Sequence, residues 1–249
     1  MFRDTVVVFR RYLRLSLRNP IWIFVGLVQP VVFLVFFGPL MTRTLESSGT
    51  APAAAWQLFV PGILVQLSLF SGAFVGFAVI AEWRAGVIER LRVTPVSRLA
   101  LLLGRVLRDV AVMVAQAVVL ILTALPFGLR APLGGVLISL GFVALLALSL
   151  TSLSYALALA LRSEDTMAPA LNISLVPLML LSGVLLPMAL APKWLDTLSR
   201  IIPFRYVVDA MRAAFTGHPA DVLPGAAVAT VLCVLSVAVG IRTFTRQNR

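Results

Sequence analysis

Runs of about twenty uncharged residues alternate along the chain with short clusters of Arg, Asp and Glu, and the apolar pattern changes from a stripe to solid runs after residue 20. Over residues 1–20, Phe2, Val6, Phe9, Leu13 and Leu17 recur at spacings of three and four, with Arg3, Arg10, Arg11, Arg14 and Arg18 between them. That pattern predicts a basic amphipathic helix lying on a membrane surface. Solid apolar runs then predict six membrane spans at about 21–41, 58–81, 110–127, 133–161, 167–187 and 221–241, each near the length that crosses a ~30 Å hydrocarbon core. The first is too long for the apolar region of a signal peptide, so it is expected to stay attached.

Two connections between spans break this rhythm. The first, 82–98, reads Glu-Trp-Arg-Ala-Gly-Val-Ile-Glu-Arg-Leu-Arg-Val-Thr-Pro-Val-Ser-Arg. Thr94 before Pro95 supplies an N-cap and a first-turn proline, so one helix is expected to end near Arg92 and the next to begin at Pro95. The result is a stiff elbow in which Glu82, Glu89 and Arg92 fall on one side. The second connection, 188–217, is too apolar for a solvated loop. Trp194, Leu195, Leu198, Ile201 and Ile202 share a helical face, and Pro203 ends that run. A second short helix over 204–215 carries Arg205, Asp209 and Arg212 at i, i+4 and i+7, a narrow charged stripe. Two arrangements stay open for this pair: flat in the interface, or dipping into the bilayer under the shelter of neighbouring spans.

Composition agrees with a chain that is nearly all membrane domain: 60% hydrophobic, 12% charged, mean hydropathy +1.02 over 249 residues, against about 25% charged in soluble domains. The fold class expected is an all-α integral membrane protein. The formal charge is +11, which in a soluble chain would suggest nucleic acid. Here most of the Lys and Arg lie at the N-terminus, in 82–109, in the 162–165 turn and in the tail, the side that the positive-inside rule makes cytoplasmic together with both termini. The charge is thus a topology signal, and no nucleic-acid partner is expected.

Candidate chemistry is sparse. One Cys, Cys233, and one His, His218, leave no disulfide framework, no zinc site and no Cys-His or Ser-His pair of good standing. The phosphate-binding G-x-x-x-x-G-K-[ST] is missing, since the single lysine, Lys193, follows Pro192. The predicted spans hold no Asp, Glu, His or Arg at mid-depth of the kind that binds a coupling ion, with Asp109 and Asp221 placed at span ends. Gln66, Phe70, Phe74, Phe77 and Asn172 are the candidates for lining a substrate path. Gly72 and Gly76 form a G-x-x-x-G that permits close helix approach.

A membrane chain with a stiff elbow and neither an ATP site nor ion-coupling acids needs energy from a partner. The 82–98 stretch is similar to the E-R-x-x-G-x-[LI]-E-x-L-x-x-[TS]-P-x-[SP]-R stretch of permease subunits in the type-2 ATP-binding-cassette transporter family, daunorubicin-resistance exporter branch. It departs at Trp83, where a second charged residue is frequent. Leu181-Ser-Gly-Val-Leu-Leu-Pro187, Pro192-Lys-Trp-Leu and Ile202-Pro-Phe-Arg-Tyr-Val-Val-Asp-Ala-Met-Arg212 resemble that family's second signature.

The resemblance implies a non-enzymatic half-transporter in a bacterial plasma membrane. Two cytosolic ABC ATPase subunits would join two permeases, the second being an identical copy or a paralogue. ATP and Mg would act in the ATPase, and this chain would bind no cofactor. Glu82, Arg84, Glu89, Arg90, Arg92 and Arg98 would couple to the ATPase. The 188–217 segment, with Trp194, Arg205, Asp209 and Arg212, would form re-entrant helices on the external side. The cargo implied is a hydrophobic drug, natural product or lipid-like molecule exported by alternating access. Alternatives are a polysaccharide or lipid-linked carrier and, from another class, an ion-coupled secondary carrier.

Overall fold

A computed structural model describes the chain except residues 1, 20, 48, 50, 87–97, 186–187, 189–190, 219–220 and 247–249. Among the described residues every regular element is a helix. Helix α1 spans Phe2–Arg18, with Asp4 in its first turn and Arg18 in its last, both matched to the helix dipole. Helix α2, Ile21–Val32, passes through a π-helical turn, Phe33–Phe37, into α3, Gly38–Ser47. The π turn lies one turn ahead of Pro39, which has no N–H for the carbonyl four residues back, and Gly38 N–H bonds to Phe33 O instead. Helix α4 is Pro52–Phe74 and α5 is Gly76–Arg84, the two parted only by Val75. Then come α6, Arg98–Ala124, and α7, Leu133–Leu161, followed by α8, Glu164–Leu181. The short helices α9, Lys193–Ser199, and α10, Pro203–Thr216, precede the last, α11, Val222–Arg246.

Five stretches are long and apolar enough to cross a membrane by length and composition: Ile23–Leu45, Pro52–Arg84, Ala100–Phe127, Leu133–Leu161 and Val222–Thr243. The span expected at 167–187 corresponds to α8, which falls outside that set because Glu164, Asp165, Asn172 and two prolines dilute it. It nevertheless runs antiparallel to α4 and α5. Arg84 pairs with Glu164, Gly76 packs on Met167, and Gly62 packs on the carbonyl of Val184. From 62 to 84 a helix rises roughly 33 Å, so α8 and its exit turn cover about one bilayer core.

Helix α7 is the hub, packed against α4, α5, α6, α10 and α11. Its sequence is apolar on all sides: one part of the surface packs into the bundle, while Leu133, Leu137 and Leu153 are exposed, as an apolar surface against lipid would be. Close approach rests on glycine: a Cβ at Gly72 would strike Leu150, and one at Gly76 would strike Ser154 and Met167. The expected G-x-x-x-G therefore marks the α4/α5 contact with α7. At the helix break, Gly76 N–H donates to Ser154 Oγ at 2.9 Å, and Ser154 Oγ–H donates to Ala73 O. One hydroxyl from α7 thus satisfies backbone groups on both sides of the break.

Helix α1 presents an unexpected face to the bundle. Val8, Tyr12 and Ser16 contact α6, where Gly104 admits Val8. Of the stripe read from the sequence, Val6 and Leu17 turn away, 43% and 64% exposed, as apolar groups against lipid would, while Phe9 and Leu13 are half-buried.

Candidate functional site

The elbow begins where α5 ends. Helix α5 stops at Arg84, and Gly86 adopts a left-handed φ of 67°; the helix end expected near Arg92 and the helix start at Pro95 lie outside the described residues. Glu89, Arg90 and Arg92 lie outside the described residues, as does the side chain of Arg98, so of the six coupling residues the structure describes Glu82 and Arg84.

Three consecutive residues at the elbow's base hold three different neighbours. Glu82 accepts from Arg105 of α6, and Arg105 also bonds the Tyr12 hydroxyl and lies over its ring at 4.7 Å. Trp83 is covered by the guanidinium of Arg162, 4.2 Å from the ring centroid. Arg84 pairs with Glu164 at 3.4 Å. Behind Glu82, Arg108 donates to Ser16 at 2.7 Å and to Asp109, and the Tyr155 hydroxyl donates to the other oxygen of Asp109. Tyr12, Glu82, Arg105, Arg108 and Tyr155 line a small shared cavity. A buried ion survives only with a partner and satisfied hydrogen bonds, and these groups provide both.

Asp109, expected at the end of a span, lies within helix α6, which continues on both sides of it, and is 2% exposed. The helix begins at Arg98, about three turns before the apolar run that starts at 110, and its three charged residues there are paired, Arg105 with Glu82 of α5 and Arg108 with Asp109, with hydroxyls of Ser16 and Tyr155 from α1 and α7 beside them. The apolar run alone could not reveal that.

At the opposite end the charged stripe of α10 extends into a chain of ions. Arg200 meets Asp196 at 2.8 Å, Asp196 meets Arg205 at 2.6 Å, Arg205 meets Asp209 at 3.7 Å, and Asp209 meets Arg212 at 3.6 Å. Asp196 was not singled out by the sequence; its signal was its place four residues before Arg200. Hydrogen bonds from Arg205 and then Arg200 hold its carboxyl below the usual 3.8. Arg212 is buried and donates to Leu58 O at 2.9 Å and Gly183 O at 2.7 Å.

Helix α10 starts at Pro203, ends on Gly217 at φ 81°, and buries Phe204, Val207, Val208, Met211 and Phe215 among α4, α7 and α11. Helix α9 is reversed: Trp194, Leu198 and Ile201 beyond it point outward while Ser199 is buried and donates to Asp196 O. Helix α10 is thus packed into the bundle, and α9 shows its apolar face to the surroundings.

The path candidates do not form one wall. Gln66 is 1% exposed, and neither its amide oxygen nor its nitrogen has a partner. Phe70, Phe74 and Phe77 form a ladder of near-parallel rings at 6.2 and 5.7 Å, with Phe74 39% exposed. Asn172 is on the open side of α8, donating to Ala168 O at 3.1 Å, among exposed Ile173, Val176 and Leu180.

Comparison with known proteins adds the family context. A family model for ABC-2 type transporters matches residues 3–216. The protein ycf38 of Cyanophora paradoxa, named as a transport permease, is 26% identical over 85% of this chain and 73% of its own length. Its namesake in Porphyra purpurea is 23% identical over 80% of this chain and 69% of its own. YbhS of Escherichia coli strain K12, named as a multidrug ABC transporter permease, is 30% identical over 76% of this chain, which spans half of that relative's length.

Proposed function

The chain belongs to the ABC-2 type transporter family, and from that premise we propose that it is the membrane subunit of an exporter driven by a separate cytosolic ATPase. The cargo proposed is a hydrophobic or amphipathic molecule, and the working unit two permeases with two ATPase subunits in a bacterial plasma membrane, both termini cytoplasmic. The observation that carries this reading is the triple hold on Glu82, Trp83 and Arg84. A push on the 82–98 elbow reaches α1, α6 and α8 through these contacts, with no charged group needed at mid-depth. Alternating access then requires only that nucleotide favour one state of the ATPase pair.

The open face of α8 supports a second permease copy. Asn172 and Ser174 are exposed in the middle of an otherwise apolar helix, a placement that lipid penalises and a partner helix relieves. The ladder of Phe70, Phe74 and Phe77 offers flat apolar surface to an aromatic or lipid-like solute.

The test is reconstitution in liposomes with a cytosolic ABC ATPase from the same genome, using ethidium as the probe. ATP-dependent ethidium transport, reduced several-fold in Glu89→Ala and Arg92→Ala variants that still fold, is the expected result. Uphill transport by the permease alone, or transport that collapses with the ion gradient while ATP is plentiful, overturns the reading.

A further inference from the structure

Trp83 stands where a charged residue is frequent in similar stretches, and its indole is covered by the Arg162 guanidinium at 4.2 Å. Its neighbour Arg84 reaches Glu164 at 3.4 Å. Both contacts land on one short connection, the turn between α7 and α8. Arg162 itself is held at φ 54°, and it is the one non-glycine residue with positive φ among the described residues. Its N–H caps α7 by donating to Ala158 O at 2.9 Å. A helix ends this way most easily with glycine, which has no Cβ to crowd the left-handed conformation.

An arginine at such a position is unfavourable for the backbone, so its side chain must offset the strain. Here the side chain does two things: Nε donates to Leu159 O at 3.3 Å, and the guanidinium plane covers Trp83. The first fixes the second. Indole is the best ring for a cation, and the planar guanidinium of arginine can stack on it as the ammonium of lysine cannot. Two residues later α8 begins, and Met167 in its first turn packs on Gly76 of α5. Helix α8 is otherwise thinly covered, with Leu171 and Leu175 as its further buried residues. The start of α8 is thus tied to the elbow base and α5 through Arg162, Glu164 and Met167.

We propose that Trp83 and Arg162 are positioning residues that pass displacement of the elbow directly to the start of α8, a route separate from the Glu82–Arg105 contact with α1 and α6. This rests on the reading of the elbow as the receiver of an ATPase stroke.

The experiment uses the full permease–ATPase complex in a Cys233→Ala background, with spin labels introduced by Thr166→Cys and Leu133→Cys in one sample and by Arg14→Cys and Leu133→Cys in another. Labelled protein is diluted with unlabelled protein, and distances are measured by double electron–electron resonance with and without ATP plus vanadate. In the otherwise native chain both distances are expected to shift. Trp83→Ala or Arg162→Ala is expected to abolish the Thr166 shift and leave the Arg14 shift, while Trp83→Phe, which keeps an aromatic ring, retains both. A full Thr166 shift in Trp83→Ala overturns the proposal. Loss of both shifts in Trp83→Ala also overturns it, because the pair then supports the fold generally. No shift at either position in the native chain overturns the ATPase-driven reading itself, and this route with it.

Discussion

Arg212 donates to the carbonyl of Gly183 at 2.7 Å, joining the middle of α10 to the turn that follows α8. The same guanidinium reaches Leu58 O in α4, so one buried side chain satisfies carbonyls from two distant segments.

Removing that side chain takes the donor from the Gly183 carbonyl and a bond from the Leu58 carbonyl, and leaves a void among α4, α10 and the turn after α8. Arg212→Ala is expected to destabilise the chain by about 2–4 kcal/mol. Arg212→Lys, which keeps the charge and loses the fork, is expected to fall between. The thermal midpoint of the detergent-solubilised protein measures both.

Gly62 and Gly141 provide a matched pair. A Cβ at Gly62 would run into the backbone carbonyl of Val184, which cannot move aside as a side chain would, whereas a Cβ at Gly141 meets nothing within 4 Å. Gly62→Ala should cost roughly 1–3 kcal/mol. Gly141→Ala, inside helix α7, should be neutral or add up to about 1 kcal/mol. Unfolding midpoints in parallel decide it, and equal effects would contradict the packing.

Ser154→Ala removes both partners at the α4/α5 break, leaving the Gly76 amide and the Ala73 carbonyl unsatisfied in a buried place. The expected loss is about 1–3 kcal/mol. Faster hydrogen exchange at the Gly76 amide, with little change elsewhere in α5 or in α7, is the specific readout.

Acid should loosen the α9–α10 ion chain. The Asp196 carboxyl titrates below 3.8 in the fold, held there by Arg205 and Arg200. A depressed acid pKa contributes stability that is present above the unfolded value and disappears as pH falls through the folded one. The loss therefore belongs below about pH 4, and Asp196→Asn should flatten the dependence of the thermal midpoint in that window while leaving it unchanged in shape near neutrality.

Much of this architecture was legible in the sequence where a local rule governs it. Pro203 and Gly217 bracket α10, solid apolar runs mark the long helices, and the spacing of Arg205, Asp209 and Arg212 gives three of the five members of the outer ion chain. What could not be read depends on partners far along the chain. Asp109 looks like a span boundary until Tyr155 and Arg108 are beside it, and Arg105 needs Tyr12 and Glu82 from two other elements. The contact of Val8, Tyr12 and Ser16 with α6, while Val6 and Leu17 of the apolar stripe stay exposed, was hidden for the same reason. Gly104 on α6 decides which face fits, and the membrane can take the other. The π turn before Pro39 had a local cause, yet proline permits kink, break or bulge, and the pattern of apolar residues does not choose among them.

The hydroxyl of Ser154 constrains how its two neighbours can rearrange. Because it is bonded to main-chain groups on either side of Val75, a piston-like slide of α7 along α4 and α5 would tear both bonds at once. Swinging about that point keeps them. The joint thus filters the motions open to this pair of helices, admitting tilt and refusing translation.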